Sequence, residues 1–170
     1  MDLGGLRPWL VLAHVLGALA FVLLHGVSAG VAFRLRSERD PVRIRALLEL
    51  SNAYLNWMYL ALAVLLLSGI AAGFVAGWWT SGRLWLWASV GLLVAIFAGM
   101  YGVASSYFEA LRHAVGLATY EDTKQHRDPP PPATDGELAI LLQSPRPALI
   151  AAIGLGGIGL ITSLMVLKPF

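Results

Sequence analysis

Two histidines lie inside the first apolar segment of the sequence, where an ionisable side chain is costly and usually has a function. His14 and His25 are eleven residues apart. In a helix they share one face and are separated by about 16 Å along the axis. A neutral imidazole is a good ligand for haem iron and also a proton acceptor. The pair predicts a cofactor site or a proton-handling site, against the plainer interpretation of two interhelical hydrogen bonds.

Met100 is the third candidate ligand and comes from the third apolar segment. Counted from the ends on one side of the membrane, His25 and Met100 both lie 16 residues in, so one chain can bring a His/Met pair to one haem b. The two histidines are too far apart to bind one metal ion, whose ligands lie about 2 Å away. His14 therefore needs a histidine from a second copy of the chain. Without a cofactor, the expected hydrogen-bond partners of His25 are Tyr101, Ser105 and Asn56.

Four apolar segments position these residues. They cover about 9–33, 54–78, 84–108 and 147–167, and none contains Asp, Glu, Lys or Arg. A helix needs about 20 such residues to cross the hydrocarbon core. Charged residues make up 13% of the 170-residue chain, against about 25% in a soluble domain. We therefore predict an all-α polytopic protein, one membrane domain built as a bundle of four transmembrane helices, whose first helix is not a cleaved signal peptide.

The basic residues predict the orientation of these helices. Nine Lys and Arg fall in the polar loops 34–53 and 109–146, whereas three, Arg7, Arg83 and Lys168, fall on the other side. The positive-inside rule places both loops in the cytoplasm and both termini outside, in the inner membrane of a bacterium. In the first loop, Asp40 and Pro41 predict the start of a short amphipathic helix.

Small residues predict close contacts between the helices. Gly69, Gly73 and Gly77 recur every four residues in the second segment, a spacing that lets helix backbones approach closely in lipid. This pattern favours a tight bundle, with a homo-oligomer or a larger membrane complex as the expected assembly. The glycines between Gly154 and Gly159 lie within an apolar segment with no strand before them, so they do not indicate a phosphate-binding loop.

Several kinds of chemistry are excluded by composition. The chain has no cysteine, so it cannot form a disulfide, a thiolate metal site or an iron–sulfur cluster. No carboxylate lies inside an apolar segment, which argues against a hydrolytic triad and against ion-coupled transport. No catalytic residue, metal-ion site or nucleic-acid partner is predicted, and enzymatic activity is not expected.

The stretch HVLGALAFVLLHGVSAGVAFRLRSERDP, which begins at His14, resembles the first helix and loop of a group of small bacterial four-helix membrane proteins. It is more distantly similar to copper-resistance-D-like and HemJ-type membrane proteins. The likeness covers about the first 40 residues, and His14 is the residue that matches the histidine of that helix. The resemblance implies b-type haem binding. A histidine partner from the second or third helix is missing in this sequence.

Three functions follow from these observations. The first is a haem-binding or redox-linked membrane protein that uses His14, His25 or Met100. The second is an accessory or structural subunit of a larger membrane complex. The third is a small transporter.

Overall fold

The computed structural model describes residues 3–169, and every regular element in that part of the chain is a helix. Four helical stretches are long and apolar enough to cross a membrane: Arg7–Leu35, Pro41–Val75, Leu84–Ala114 and Asp135–Leu167. The prediction of an all-α, multi-pass membrane protein is thereby confirmed.

Eight α-helices and two π-turns make up these stretches in the described residues, and one further short α-helix lies between the third and fourth stretches. The helices are α1 (Arg7–Leu35), α2 (Pro41–Ala53), α3 (Leu55–Val75), α4 (Leu84–Met100), α5 (Ser106–Ala114), α6 (Tyr120–Lys124), α7 (Asp135–Leu142), α8 (Arg146–Ala151) and α9 (Gly157–Leu167). The π-turn Tyr101–Ser105 joins α4 to α5, and the π-turn Ala152–Gly156 joins α8 to α9.

The second predicted segment is helical over a shorter range than its apolar residues suggested. Helix α3 ends at Val75, and Gly77 follows in the left-handed region at φ 65°. There the amide of Trp78 donates to the Gly73 carbonyl and the amide of Gly77 donates to the Phe74 carbonyl, the bonding pattern of a glycine-terminated helix. Trp78 and Trp79 therefore lie in a turn rather than in a helix.

The chain forms two compact units, and its assignment to a single membrane domain stays a prediction. The first comprises Met1–Gly26, Tyr54–Ile96 and Leu155–Phe170, and the second comprises Val27–Ala53 and Phe97–Gly154. In the first unit, α1 and α3 approach so closely that a β-carbon at Gly17 would lie 2.8 Å from the Leu65 amide nitrogen. This contact depends on the absence of a side chain, as predicted for small residues in membrane helices.

The second unit has its own apolar core, made largely by the two stretches that the sequence predicted as loops. Its fully buried side chains include Leu35, Ile44, Leu48, Leu111 and Leu142. Burying each such side chain from water stabilises a fold by about 1.5–3 kcal/mol. The amphipathic helix predicted after Asp40 is α2, and the Asp40 carboxylate accepts a hydrogen bond from the Val42 amide at 3.0 Å. Much of the two predicted loops is therefore helical, with non-helical connections such as 125–134 between the helices.

Candidate cofactor site on the first helix

The imidazole of His14 is bound to the backbone of a neighbouring helix. Its Nδ1 lies 2.8 Å from the Leu65 carbonyl oxygen in α3. A carbonyl oxygen can only accept a hydrogen bond, so Nδ1 carries the proton and Nε2 carries the lone pair. Among residues 3–169 no donor bonds to Nε2. This is the tautomer in which histidine ligates a metal through Nε2 while its other nitrogen is fixed by a carbonyl.

Gly69 provides the space in which the His14 ring sits. A β-carbon at position 69 would lie 2.7 Å from both Nδ1 and Cε1 of that ring. The sequence predicted Gly69, Gly73 and Gly77 as one continuous contact surface, but the structure gives each a separate role. Gly73 accommodates the indole of Trp79, and Gly77 terminates α3.

His25 has a different environment from His14. Its side chain is 5% exposed, and its ring stacks on Phe21 with the ring centres 5.9 Å apart. Its Nε2 is enclosed by protein atoms and has no hydrogen-bond partner among the described residues. An axial ligand needs an open approach to its lone pair, so the packing at this nitrogen does not fit a haem iron. The predicted hydrogen bond from Asn56, which lies in the same unit, is not present at this nitrogen among the described residues, and the predicted hydrogen bonds from Tyr101 and Ser105 stay predictions.

Met100 is the last residue of α4 and precedes the first π-turn. It is partly buried and packs against the apolar core of the second unit. Both histidines belong to the first unit. The pairing of His25 with Met100 as axial ligands stays a prediction.

Asp122 is the centre of a polar network that sequence reasoning missed. Its Oδ2 accepts from the Thr119 hydroxyl at 2.6 Å and the Thr119 amide at 2.9 Å, and lies 2.6 Å from Nε2 of His113. Arg127 approaches the other oxygen at 3.6 Å. The hydroxyl of Thr119, together with the imidazole of His113, holds the pKa of Asp122 well below its usual range. The spacing Thr119-x-x-Asp122, which is that of a capping box, was the signal in the sequence.

Arg112 is a second residue whose role the sequence did not indicate. In the sequence it was one of the nine basic residues that predicted the orientation of the helices. Its Nε donates to the Ala118 carbonyl at 2.8 Å, and its Nη2 lies 3.0 Å from Glu49 in α2. These contacts, which form the Arg112 network, therefore connect the end of α5 to the following loop and to α2. The network has the character of a structural support, since both groups that Arg112 binds belong to the same unit.

A shallow cavity of about 560 Å³ lies along the proline run of the second unit. It is lined by Pro130, Pro131 and Pro132 and by residues of α5 and α7, among them His113 and Glu137. Both polar groups are engaged elsewhere, because His113 binds Asp122 and Glu137 caps α7 through Thr134. The cavity therefore offers mainly apolar contacts.

No protein-family model matches this chain, and neither the curated proteins nor the solved structures include one that is significantly similar to it.

Proposed function

We propose that this multi-pass membrane protein binds a b-type haem through Nε2 of His14. The observation that carries the proposal is the hydrogen bond between Nδ1 of His14 and the Leu65 carbonyl at 2.8 Å. It fixes the ring and leaves the lone pair on the nitrogen that ligates iron. The resemblance of the stretch around His14 to haem-associated membrane proteins supports the same residue.

The surroundings of His14 suit a large apolar cofactor. Val11 and Val15, which flank it in α1, are more than 40% exposed. Such side chains contact lipid or a porphyrin ring equally well. A haem bound there would supply one-electron redox chemistry, and its potential would depend on the second axial ligand and on the apolar shell. The role of this chain is to orient the imidazole and to exclude water from its surroundings.

A second copy of the chain would hold the same haem through its own His14. His25 does not fit, because its Nε2 is enclosed, and Met100 packs against the core of the second unit. The functional protein is therefore proposed to be a homodimer with one haem between two first helices. The charge bias of the loops supports placing it in a bacterial inner membrane with both termini outside.

Haem titration of the protein purified in mild detergent tests this function. We expect a Soret band that shifts on reduction, with saturation at one haem for two chains. His14→Ala should abolish the band, whereas the volume-conserving change Met100→Leu should retain it. A wild-type protein that stays colourless with ample haem would refute the proposal and favour an accessory subunit of a membrane complex.

A further inference from the structure

The three basic residues that the sequence places outside the polar loops meet at one side chain, the indole of Trp78. Arg7 begins α1, Arg83 precedes α4 and Lys168 follows α9. Their charged groups lie 5.7, 5.9 and 5.5 Å from the centre of the Trp78 ring. Each distance is within the range of a cation–π interaction. The ends of separate helices in the first unit thus deliver three positive charges to one place.

Trp78 is held in place by its backbone and by a second indole. The left-handed Gly77 turns the chain at the end of α3, and the Trp78 amide bonds to the Gly73 carbonyl at 2.9 Å. The Trp78 ring meets the edge of the buried Trp85 ring at 5.7 Å. The Lys168 ammonium also lies 5.7 Å from the centre of the Trp85 ring. The Trp85 ring therefore holds the Trp78 indole at the point where the cations meet.

The charges around the Trp78 indole are not balanced by the described part of the chain. Each cation lies less than 6 Å from one ring centre, so no two of them can be more than 12 Å apart. Within residues 3–169 none of the three forms an ion pair with Asp or Glu. A ring quadrupole offsets part of the repulsion among them, but an anion would offset far more.

We propose that Arg7, Arg83 and Lys168 form a binding site for a phosphate group over the Trp78 indole. Guanidinium and ammonium groups present several donors to the oxygens of a phosphate, which carry charge and accept hydrogen bonds. The three residues stand where apolar helices begin or end, at the level of the headgroups in a membrane. A phospholipid headgroup and a soluble phosphate ester both present such oxygens. Thermal unfolding with added lipid or added phosphate distinguishes the two ligands.

The test measures thermal unfolding of the full chain in nonionic detergent. One arm adds phosphatidylglycerol or phosphatidylcholine with the same acyl chains. The other adds sodium phosphate or sodium chloride at equal ionic strength. We expect a saturable rise in the unfolding temperature with phosphatidylglycerol and a weaker one with phosphatidylcholine, because the cluster repels the choline cation. Arg83→Gln and Lys168→Gln should each raise the half-saturating lipid concentration about fivefold.

Two matched variants control for changes in net charge and in folding. Lys168→Arg keeps the charge and should keep the lipid response. Lys124→Gln removes an exposed charge of α6 and should leave the response unchanged. A phosphatidylglycerol response that depends on Lys168 and Arg83 assigns the site to a lipid, and a phosphate response with the same dependence assigns it to a soluble anion. If neither response depends on these residues, the proposed site is wrong.

Discussion

The imidazole of His14 lies against Gly69 with no room for a further atom between them. A β-carbon at position 69 would come within 2.7 Å of the ring. The ring cannot retreat without losing its hydrogen bond to the Leu65 carbonyl. Gly69 and Leu65 together therefore determine where the imidazole sits and which of its nitrogens carries the proton.

Replacing Gly69 with alanine should displace the His14 ring. We expect a loss of about 1–3 kcal/mol of stability from overpacking, together with a weaker or shifted haem band. Gly91→Ala is the matched control, because no atom lies within 4 Å of a β-carbon there, and it should gain up to about 1 kcal/mol from helix propensity. Thermal unfolding and absorption spectra of both variants check this. Equal behaviour of the two would show that the ring does not depend on the glycine.

The two contacts of Arg112, with the Ala118 carbonyl and with the Glu49 carboxylate, should contribute unequally to the stability of the chain. Arg112→Ala removes the hydrogen bonds to Ala118 and to Glu49, with an expected cost of about 2 kcal/mol. Glu49 is 51% exposed, so Glu49→Ala should cost less than about 1 kcal/mol. A double-mutant cycle should give a coupling of about 0.5 kcal/mol. A coupling energy as large as the full loss of stability in Arg112→Ala would mean that the ion pair with Glu49, and not the hydrogen bond to the Ala118 carbonyl, holds Arg112 in place.

The Asp122 network should make the second unit sensitive to acid. The pKa of Asp122 is lowered in the folded chain by the Thr119 hydroxyl and by His113. The ionised Asp122 carboxylate therefore stabilises the folded chain fully at pH values above its pKa in the unfolded chain, which is about 4. This stabilisation is lost as the pH falls from that value through the lower pKa of Asp122 in the folded chain. The protection factors for hydrogen exchange in the region 113–127, which correct for the pH dependence of intrinsic exchange, should be high at neutral pH and fall below about pH 4.

Asp122→Asn should remove this acid sensitivity. We expect lower protection factors in the same region already at neutral pH, and little further loss of protection on acidification. Asp128→Asn, an exposed site, serves as the control and should behave like the wild type. A wild-type profile in the Asp122 variant would show that the carboxylate charge does not organise this part of the chain.

The topology can be measured directly because the native chain has no cysteine. Single cysteines at Ser37, Ser81 and Asp128 lie at exposed positions. An impermeant thiol reagent applied to intact cells should label Ser81→Cys and leave the other two unlabelled, because the positive loops are expected in the cytoplasm. The reverse pattern would invert the proposed orientation.

Composition and charge were sufficient to predict the membrane helices, because an apolar run of about 20 residues has few alternatives. The end of α3 was not predicted, since Gly77 was interpreted as one more small residue of a helix. Its left-handed conformation depends on a local bonding pattern that the spacing of glycines does not reveal. The amphipathic helix that contains Leu48 was predicted, but its packing with the stretch around Leu111 into one core was missed, because the apolar residues of both stretches are scattered among charges.

The sequence identified the candidate histidines, but it did not predict the contacts around each of them. A histidine in an apolar helix pointed to His14 and His25 alike, and matching their depths favoured His25. The structure distinguishes them through contacts between distant parts of the chain. His14 is bound to the Leu65 carbonyl of α3, whereas the Nε2 atom of His25 is enclosed. Such contacts depend on the register of α1 against α3, which no local pattern specifies.

Chemical rescue of a His14→Gly variant tests whether His14 holds the haem. We expect this variant, loaded with haem, to lose the wild-type Soret band and to regain it when free imidazole is added, because the small ligand replaces the missing side chain. His25→Leu should keep the band without imidazole. A His14→Gly protein that keeps the wild-type spectrum, or a wild-type protein that binds no haem, would show that His14 is not a haem ligand.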